Sequence, residues 1–290
     1  EISSRARVRA ARLLLRQGDL AGARHVLESS RDSCGAEGLR VLGGLERRSG
    51  EYEKAARTLA KALSAAKKRK DWRLAGEAAN ELGVISLDLG DSAGARKWLA
   101  EAQGHAARAG ERADAAVILA NIALSMAKDG ETVPAAKKLA EAMAAAKKAG
   151  LLRLEAAVAT NLAHLQFNAN DFKSSRRSGE RAVELLDSLG DEGLIGAARI
   201  NLGRTLVKLA GAGAEKMLED GIASSMKFPE AGLRGQRLAE AARGLAELGK
   251  AGRAEEVGTL AAACLREVGD ERGASEAEGL AKPGPRVRKK

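Results

Sequence analysis

The chain has 290 residues, 45% hydrophobic but only 2% aromatic, with a formal net charge of +10. A core of Ala, Leu, Val and Ile suits close helix contacts, whereas a strand-rich core would call for the aromatic and β-branched residues that are scarce here. No apolar run approaches the roughly 18 residues a membrane span needs, and no charged-then-apolar leader is present, so membrane insertion is not expected. The charge is uneven: residues 1–70 carry 17 basic against 8 acidic side chains, 71–280 carry 27 against 31, and 281–290 carry 5 against none.

Taken in order, the chain repeats one turn. Gly18-Asp19 is followed by Ala23 and Leu27, Gly50-Glu51 by Ala55 and Leu59, Gly90-Asp91 by Ala95 and Leu99, and Gly130-Glu131 by Ala135 and Leu139. A looser fifth copy has Asn170-Asp171, Phe172 and Ser175. The sixth lies around Gly211 with Ala214 one residue early, and the seventh runs from Gly249 to Ala254 with Lys250 in the acid's place. The small residues at 23, 55, 95, 135, 175, 214 and 254 step by 32 and then by 39 or 40, a period that marks a repeat architecture.

Inside each copy, apolar residues recur at three and four, as in Leu82, Ile85 and Leu89, then Leu99 and Ala102, which predicts two amphipathic helices joined at the turn. Glycine closes the first helix with a positive φ, and the acid sits at the positive end of the second helix's dipole. Pro229 is expected at the start of the seventh copy's first helix. The expected organisation is an array over 1–269, a polar capping helix over 270–281 and a basic disordered tail over 282–290.

The pattern of Leu-Gly on the first helix (Leu42-Gly43, Leu82-Gly83, Leu202-Gly203), a Gly-acidic turn and Ala on the second helix resembles the tetratricopeptide repeat. The resemblance covers nearly all of 5–265. The forty-residue period is like that of kinesin light chains, Pins-type proteins and bacterial maltose-regulator-like domains, although the family's bulky aromatics are mostly Leu, Met or Ala here. It implies an all-α, right-handed α-solenoid of about seven helix-turn-helix repeats.

The resemblance also implies a concave groove lined by first helices, with asparagines that bond the backbone of an extended peptide. Asn121, Asn161 and Asn201 stand 40 apart, each just before the Ile-Ala, Leu-Ala or Leu-Gly pair of a first helix, and Asn80 falls one position early. An amide offers a donor and an acceptor together, which matches an extended chain. On the same projection Arg9, Arg12, Arg16, Arg40, Arg47 and Arg48 line the groove of the first two copies. Lys128, His164, Arg204, Lys208 and Arg243 continue it, and Glu81, Asp88, Glu240 and Glu247 interrupt the field. Such a face suits an acidic or mixed-charge polypeptide, with an apolar floor near Leu124 and Phe167.

Catalytic and cofactor chemistry finds no pattern. His25, His105 and His164 have no metal-ligand spacing, and Gly211 and Gly213 lack the phosphate-loop pattern, so neither a metal nor a cofactor is expected. Lys67-Lys68-Arg69-Lys70 and the tail can be read as nucleic-acid or membrane patches, but stacking aromatics are scarce, which makes nucleic acid an unlikely partner. Trp98 is expected in the core between repeats and Trp72 partly exposed. Cys34 and Cys264 are too far apart in the array to bridge and fit a reducing cytoplasm.

A protein-interaction scaffold and not an enzyme is therefore expected. Three alternatives stand: the sensor or effector arm of a larger regulator (transcription factor or kinase), an adaptor for a folded partner such as a GTPase, and an RNA-binding solenoid. The lack of an initiator methionine at Glu1 reads as a piece of something longer. Composition rich in Ala, Arg and Gly suits a bacterium, while the oligomeric state is left open.

Overall fold

A computed structural model describes residues 4–16, 19–29, 34–110 and 112–280. Gly18 and the basic tail lie outside the described residues, which form fifteen α-helices and no strand. The chain divides into two compact units, Glu1–Ala149 and Gly150–Lys290.

The first unit holds α1 (Ser4–Arg16), α2 (Leu20–Glu28), α3 (Gly35–Arg48), α4 (Tyr52–Lys68), α5 (Trp72–Asp88), α6 (Ser92–Ala109), α7 (Arg112–Lys128) and α8 (Thr132–Lys148). The second holds α9 (Leu152–Asn168), α10 (Phe172–Leu189), α11 (Glu192–Lys208), α12 (Ala214–Met226), α13 (Ala231–Glu247), α14 (Ala251–Glu267) and α15 (Glu271–Gly279). Odd and even helices pair as α1 with α2 through α13 with α14, seven helix-turn-helix repeats in all. Within each unit the backbones of the odd helices also approach one another, α3 on α5 and α9 on α11, for example, while among the described residues the even helices meet only through side chains, such as Lys67 on α4 and Glu101 on α6 at 2.9 Å. The odd helices are therefore the closer-packed row, and their outward faces line the inner side of each stack.

The repeat motif explains this geometry. A Cβ built on Gly43 would stand 2.5 Å from Leu59 Cγ, and one on Gly83 or Gly203 would stand 2.8 Å from Cγ of Leu99 or Leu218. The Leu-Gly pair of each odd helix is thus the notch that receives the leucine of its partner. Beside that leucine, Ala55, Ala95, Ala135 and Ala254 are fully buried. In α10 the alanine is replaced by Ser175, also fully buried, whose hydroxyl lies 2.8 Å from the Ala163 carbonyl oxygen and 2.8 Å from the Thr205 hydroxyl.

At the turn, Gly90 takes a φ of 78°, the left-handed region that glycine enters without a Cβ clash. The equivalent residue is Asn170 (φ 60°) in the fifth repeat and Ala210 (φ 48°), one before Gly211, in the sixth. Asp19, Asp91 and Asp171 then cap the even helices, accepting from the backbone N–H of Gly22, Gly94 and Ser174. Glu51 and Glu131 make no such bond, because the longer side chain overshoots the N–H and lies instead beside Arg24 and Arg96. The expected place of Pro229 shifts: α13 begins at Ala231 with Glu230 as its cap, so the proline precedes the helix.

Packing between repeats is nearly aromatic-free. Trp98 is half-buried against the first unit's core, and half-buried Trp72 stacks on the His105 ring at 5.6 Å, with the Arg108 guanidinium 5.1 Å from its ring centre. Cys34 and Cys264 are both buried. Among the described residues no helix is long and apolar enough to cross a membrane.

Candidate binding face

The odd helices of the first unit carry Asn80 on α5 and Asn121 on α7, both half-buried. Asn121 Nδ2 donates to Asn80 Oδ1 at 2.8 Å, so the two amides join neighbouring repeats and keep part of their hydrogen-bonding capacity open. Beside them is a cleft of about 180 Å³ lined by Arg40, Glu77, Asn80, Glu81, Asp114 and Ile118.

The charges in and beyond this cleft are arranged as a ladder from one odd helix to the next. Arg40 Nε is 2.8 Å from Glu77, and Arg47 reaches both Glu81 at 3.1 Å and Asp88 at 3.2 Å. Arg12 meets Glu37 at 2.9 Å, and the Lys128 ammonium donates to the Leu87 carbonyl oxygen. Burial raises the Glu77 carboxyl above its ordinary pKa, outweighing the opposing pull of Arg40 and Arg73. Burial also acts to depress the Arg47 guanidinium, but Glu81 and Asp88 prevail and hold its pKa up. Arg9 and Arg48 are exposed and have no ion-pair partner among the described residues. The Arg16 side chain lies outside the described residues.

The second unit repeats the scheme around an aromatic ring. The Arg204 guanidinium stands 4.3 Å above the Phe167 ring and ion-pairs with Glu240, whose other oxygen takes Arg243 at 2.5 Å. Lys208 meets Glu247 at 2.9 Å. His164 is half-buried with its Nε2 3.1 Å from the Asn168 amide. Burial drives its pKa down, Glu240 pulls it up and Arg204 adds to the fall. The half-buried Arg204 is itself held below the usual guanidinium value, chiefly by desolvation. Asn201 Nδ2 donates to the Thr160 carbonyl at 3.4 Å, while half-buried Asn161 makes no hydrogen bond with the described residues.

The structure thus brings the asparagines and most of the expected cations to the odd-helix face, in two groups, one per unit. It also shows what the sequence reading missed. Glu81, Asp88, Glu240 and Glu247 do not merely interrupt a basic field, they neutralise it. The signal was a lag of 41 and not 40: Asn80 to Asn121, Arg47 to Asp88, Leu87 to Lys128 and Thr160 to Asn201 are each 41 apart.

No protein-family model and no curated protein matches the chain. Solved structures do. A Rap protein complexed with competence and sporulation factor superimposes with a TM-score of 0.66 at 12% identity, over 95% of this chain and 84% of that one. A signal transduction ATPase with a tetratricopeptide repeat sensor, from Pyrococcus horikoshii, gives 0.66 at 13% identity over 89% of this chain and 43% of that one. The fold is tetratricopeptide-repeat-like. The apo quorum sensor NprR of B. thuringiensis shares this tetratricopeptide-repeat-like fold at a TM-score of 0.62 and 13% identity, over 96% and 86% of the two chains.

Proposed function

We propose that the protein is a binding scaffold that holds a polypeptide segment along the odd-helix face. The observation that carries this reading is the recurrence of half-buried amides on the odd helices, Asn121 in the first unit and Asn161 and Asn201 in the second at one repeat position, with Asn80 one place early. Asn80 lines the first unit's cleft, and in the second unit Asn161 makes no hydrogen bond with the described residues, so donors and acceptors remain for a ligand. Amides in that position match the alternating N–H and C=O of an extended segment. The fold agrees with the reading, since a Rap protein of this fold was crystallised with competence and sporulation factor.

The ion-pair ladder refines the partner. A segment of acidic or mixed charge docking here exchanges its carboxylates for Glu81 or Glu240 on arginines that are already paired, so polarity alone gives it little net affinity. Affinity comes instead from amide-to-backbone bonds and from apolar contact with half-buried Leu124 and Phe167. The test is to select peptides from a random-sequence display library on the wild-type protein and titrate them into Asn121→Ala and Asn161→Ala/Asn201→Ala by calorimetry. Each lost bond in a desolvated groove is expected to weaken binding by about 1–3 kcal/mol with the helical signal unchanged. Selected peptides that bind the variants as tightly as the wild type would overturn the reading.

A second reading rests on the Pyrococcus horikoshii protein, whose tetratricopeptide sensor is one part of a longer ATPase and which this chain matches over 43% of its length. On that reading the same face is the input surface of a larger regulator. It predicts that a bound segment changes the activity of whatever domain is joined to the array.

A further inference from the structure

Apart from α1, with five basic residues and no acid, the excess positive charge of the first unit is on its even helices. Helices α4, α6 and α8 carry twelve basic residues against three acidic, while α3, α5 and α7 carry six against six. The corresponding even helices of the second unit, α10, α12 and α14, carry seven against nine. The excess is organised. Arg57, Lys97 and Lys137 stand 40 apart at one repeat position, all exposed and with no ion-pair partner among the described residues. Lys68, Arg108 and Lys148 form a second column with the same spacing, also exposed and without an anionic partner.

A solvated helix end accounts for only part of this. Cations in the last turn complement the helix dipole, which rationalises Lys68, Arg108 and Lys148. Arg57, Lys97 and Lys137 each stand sixth in their helices, beyond the turns where the dipole acts, and although Glu53, Glu101 and Glu141 lie four residues from them, none is ion-paired to them among the described residues. The helix dipole therefore does not account for this column, and its charges remain open to an external anion.

Between the columns lies a cleft of about 380 Å³ whose floor is Leu63, Ala60 and the half-buried Trp98, rimmed by Lys68, Ser64 and the Lys67–Glu101 ion pair at 2.9 Å. An apolar floor flanked by Lys68 and the two cation columns fits a chain whose apolar side chains alternate with acids. A phosphate backbone has no use for the floor, and one tryptophan is no stacking track. We propose that the even-helix face of the first unit docks an acidic protein segment that buries apolar side chains between α4 and α6 while its carboxylates meet the two cation columns. This surface is distinct from the odd-helix face and stands or falls separately from it.

The test uses the whole chain and fluorescence anisotropy with four probes. They are a labelled peptide of repeating Glu-Glu-Leu-Leu blocks, a peptide of equal length and charge in Glu-Glu-Ser-Ser blocks, an oligothymidylate of similar charge, and phosphatidylserine vesicles. The leucine peptide is expected to bind best, about tenfold or more tighter than the serine peptide. The triple charge reversal Arg57→Glu/Lys97→Glu/Lys137→Glu, which touches no buried contact, should weaken it by about tenfold or more. Asn121→Ala should leave it unchanged. The proposal is overturned if no peptide binds, if the oligonucleotide or the vesicles bind as tightly as the leucine peptide, if the charge reversal is silent, or if Asn121→Ala abolishes binding and so moves the peptide to the odd-helix face.

Discussion

Gly43 and Gly44 are neighbours on α3, and they should respond to alanine with opposite signs. In a helix interior alanine is favoured over glycine by about 1 kcal/mol, a gain common to both sites. At Gly44 the new Cβ meets nothing within 4 Å, so Gly44→Ala should stabilise the first unit by about 0.5–1 kcal/mol. At Gly43 it would stand 2.5 Å from Leu59 Cγ and 2.9 Å from Leu59 Cδ2. Leu59 is fully buried and has no room to swing aside, so overpacking of about 1–3 kcal/mol opposes the propensity gain. Because the propensity contribution cancels in the comparison, the gap between the two variants isolates the Leu-Gly notch at about 1–3 kcal/mol. Urea unfolding followed by tryptophan fluorescence is the assay, since Trp72 and Trp98 both report on the first unit. Equal shifts in the two midpoints would refute the notch as the reason for the motif.

Three further outcomes follow from the same structure. Ala210 sits at φ 48°, where a side chain costs about 1–2 kcal/mol. Ala210→Gly should therefore stabilise the second unit by about 0.5–1 kcal/mol after the glycine's extra unfolded-state freedom is allowed for. The same change at Asn170 should do less, because asparagine tolerates that region, and urea midpoints followed by circular dichroism check both. The half-buried His164 has its pKa depressed below the ordinary 6.5. The unfolded chain then binds the proton first, so stability is full above pH 6.5 and falls as the pH drops toward the folded value. His164→Gln should remove that part of the acid slope, seen as a smaller loss between neutral and mildly acidic unfolding curves, and an unchanged slope would refute it. Lastly, Arg47→Met should weaken the contact between α3 and α5 by no more than about 1 kcal/mol, since it is a partly exposed pair, and raised salt should shrink the difference.

The fold was legible because its periodic features are local. The Gly-acidic turn, the buried alanine and the Leu-Gly pair each fall at a fixed place in a forty-residue period, and a positive φ, a close helix contact and a leucine notch impose them. Departures from the pattern marked real local differences: the sixth repeat turns on Ala210 instead of a glycine, and Ser175 fills an alanine site with a hydroxyl that finds partners. The odd-helix asparagines were legible for the same reason. Their hydrogen bonds were not, because contact between repeats reaches back one residue beyond the period, a consequence of helices that cross at an angle. Charge was misread most, because summing Lys and Arg by sequence block mixes two helix faces that the fold separates. The N-terminal block holds the arginines of α3, which are largely paired, and the cations of α4, which are largely not.

That separation makes ionic strength a way to tell the two faces apart. On the odd-helix face an incoming carboxylate must displace Glu81 from Arg47 or Glu240 from Arg204, trading one ion pair for another, and the released acid regains only its hydration. The net electrostatic gain of such an exchange is small, and salt weakens the pair lost and the pair formed alike. On the even-helix face Arg57, Lys97 and Lys137 have no pair to lose, so every contact with a carboxylate is a new attraction between exposed charges, which salt screens directly. A ligand of the odd-helix face should therefore bind with weak salt dependence and strong dependence on Asn121, Asn161 and Asn201. A ligand of the even-helix face should show the reverse on both counts. A single ligand sensitive to both would have to reach from one helix row to the other within a repeat, and no single straight segment can do that, because the core alanines at 55, 95 and 135 lie between the two faces.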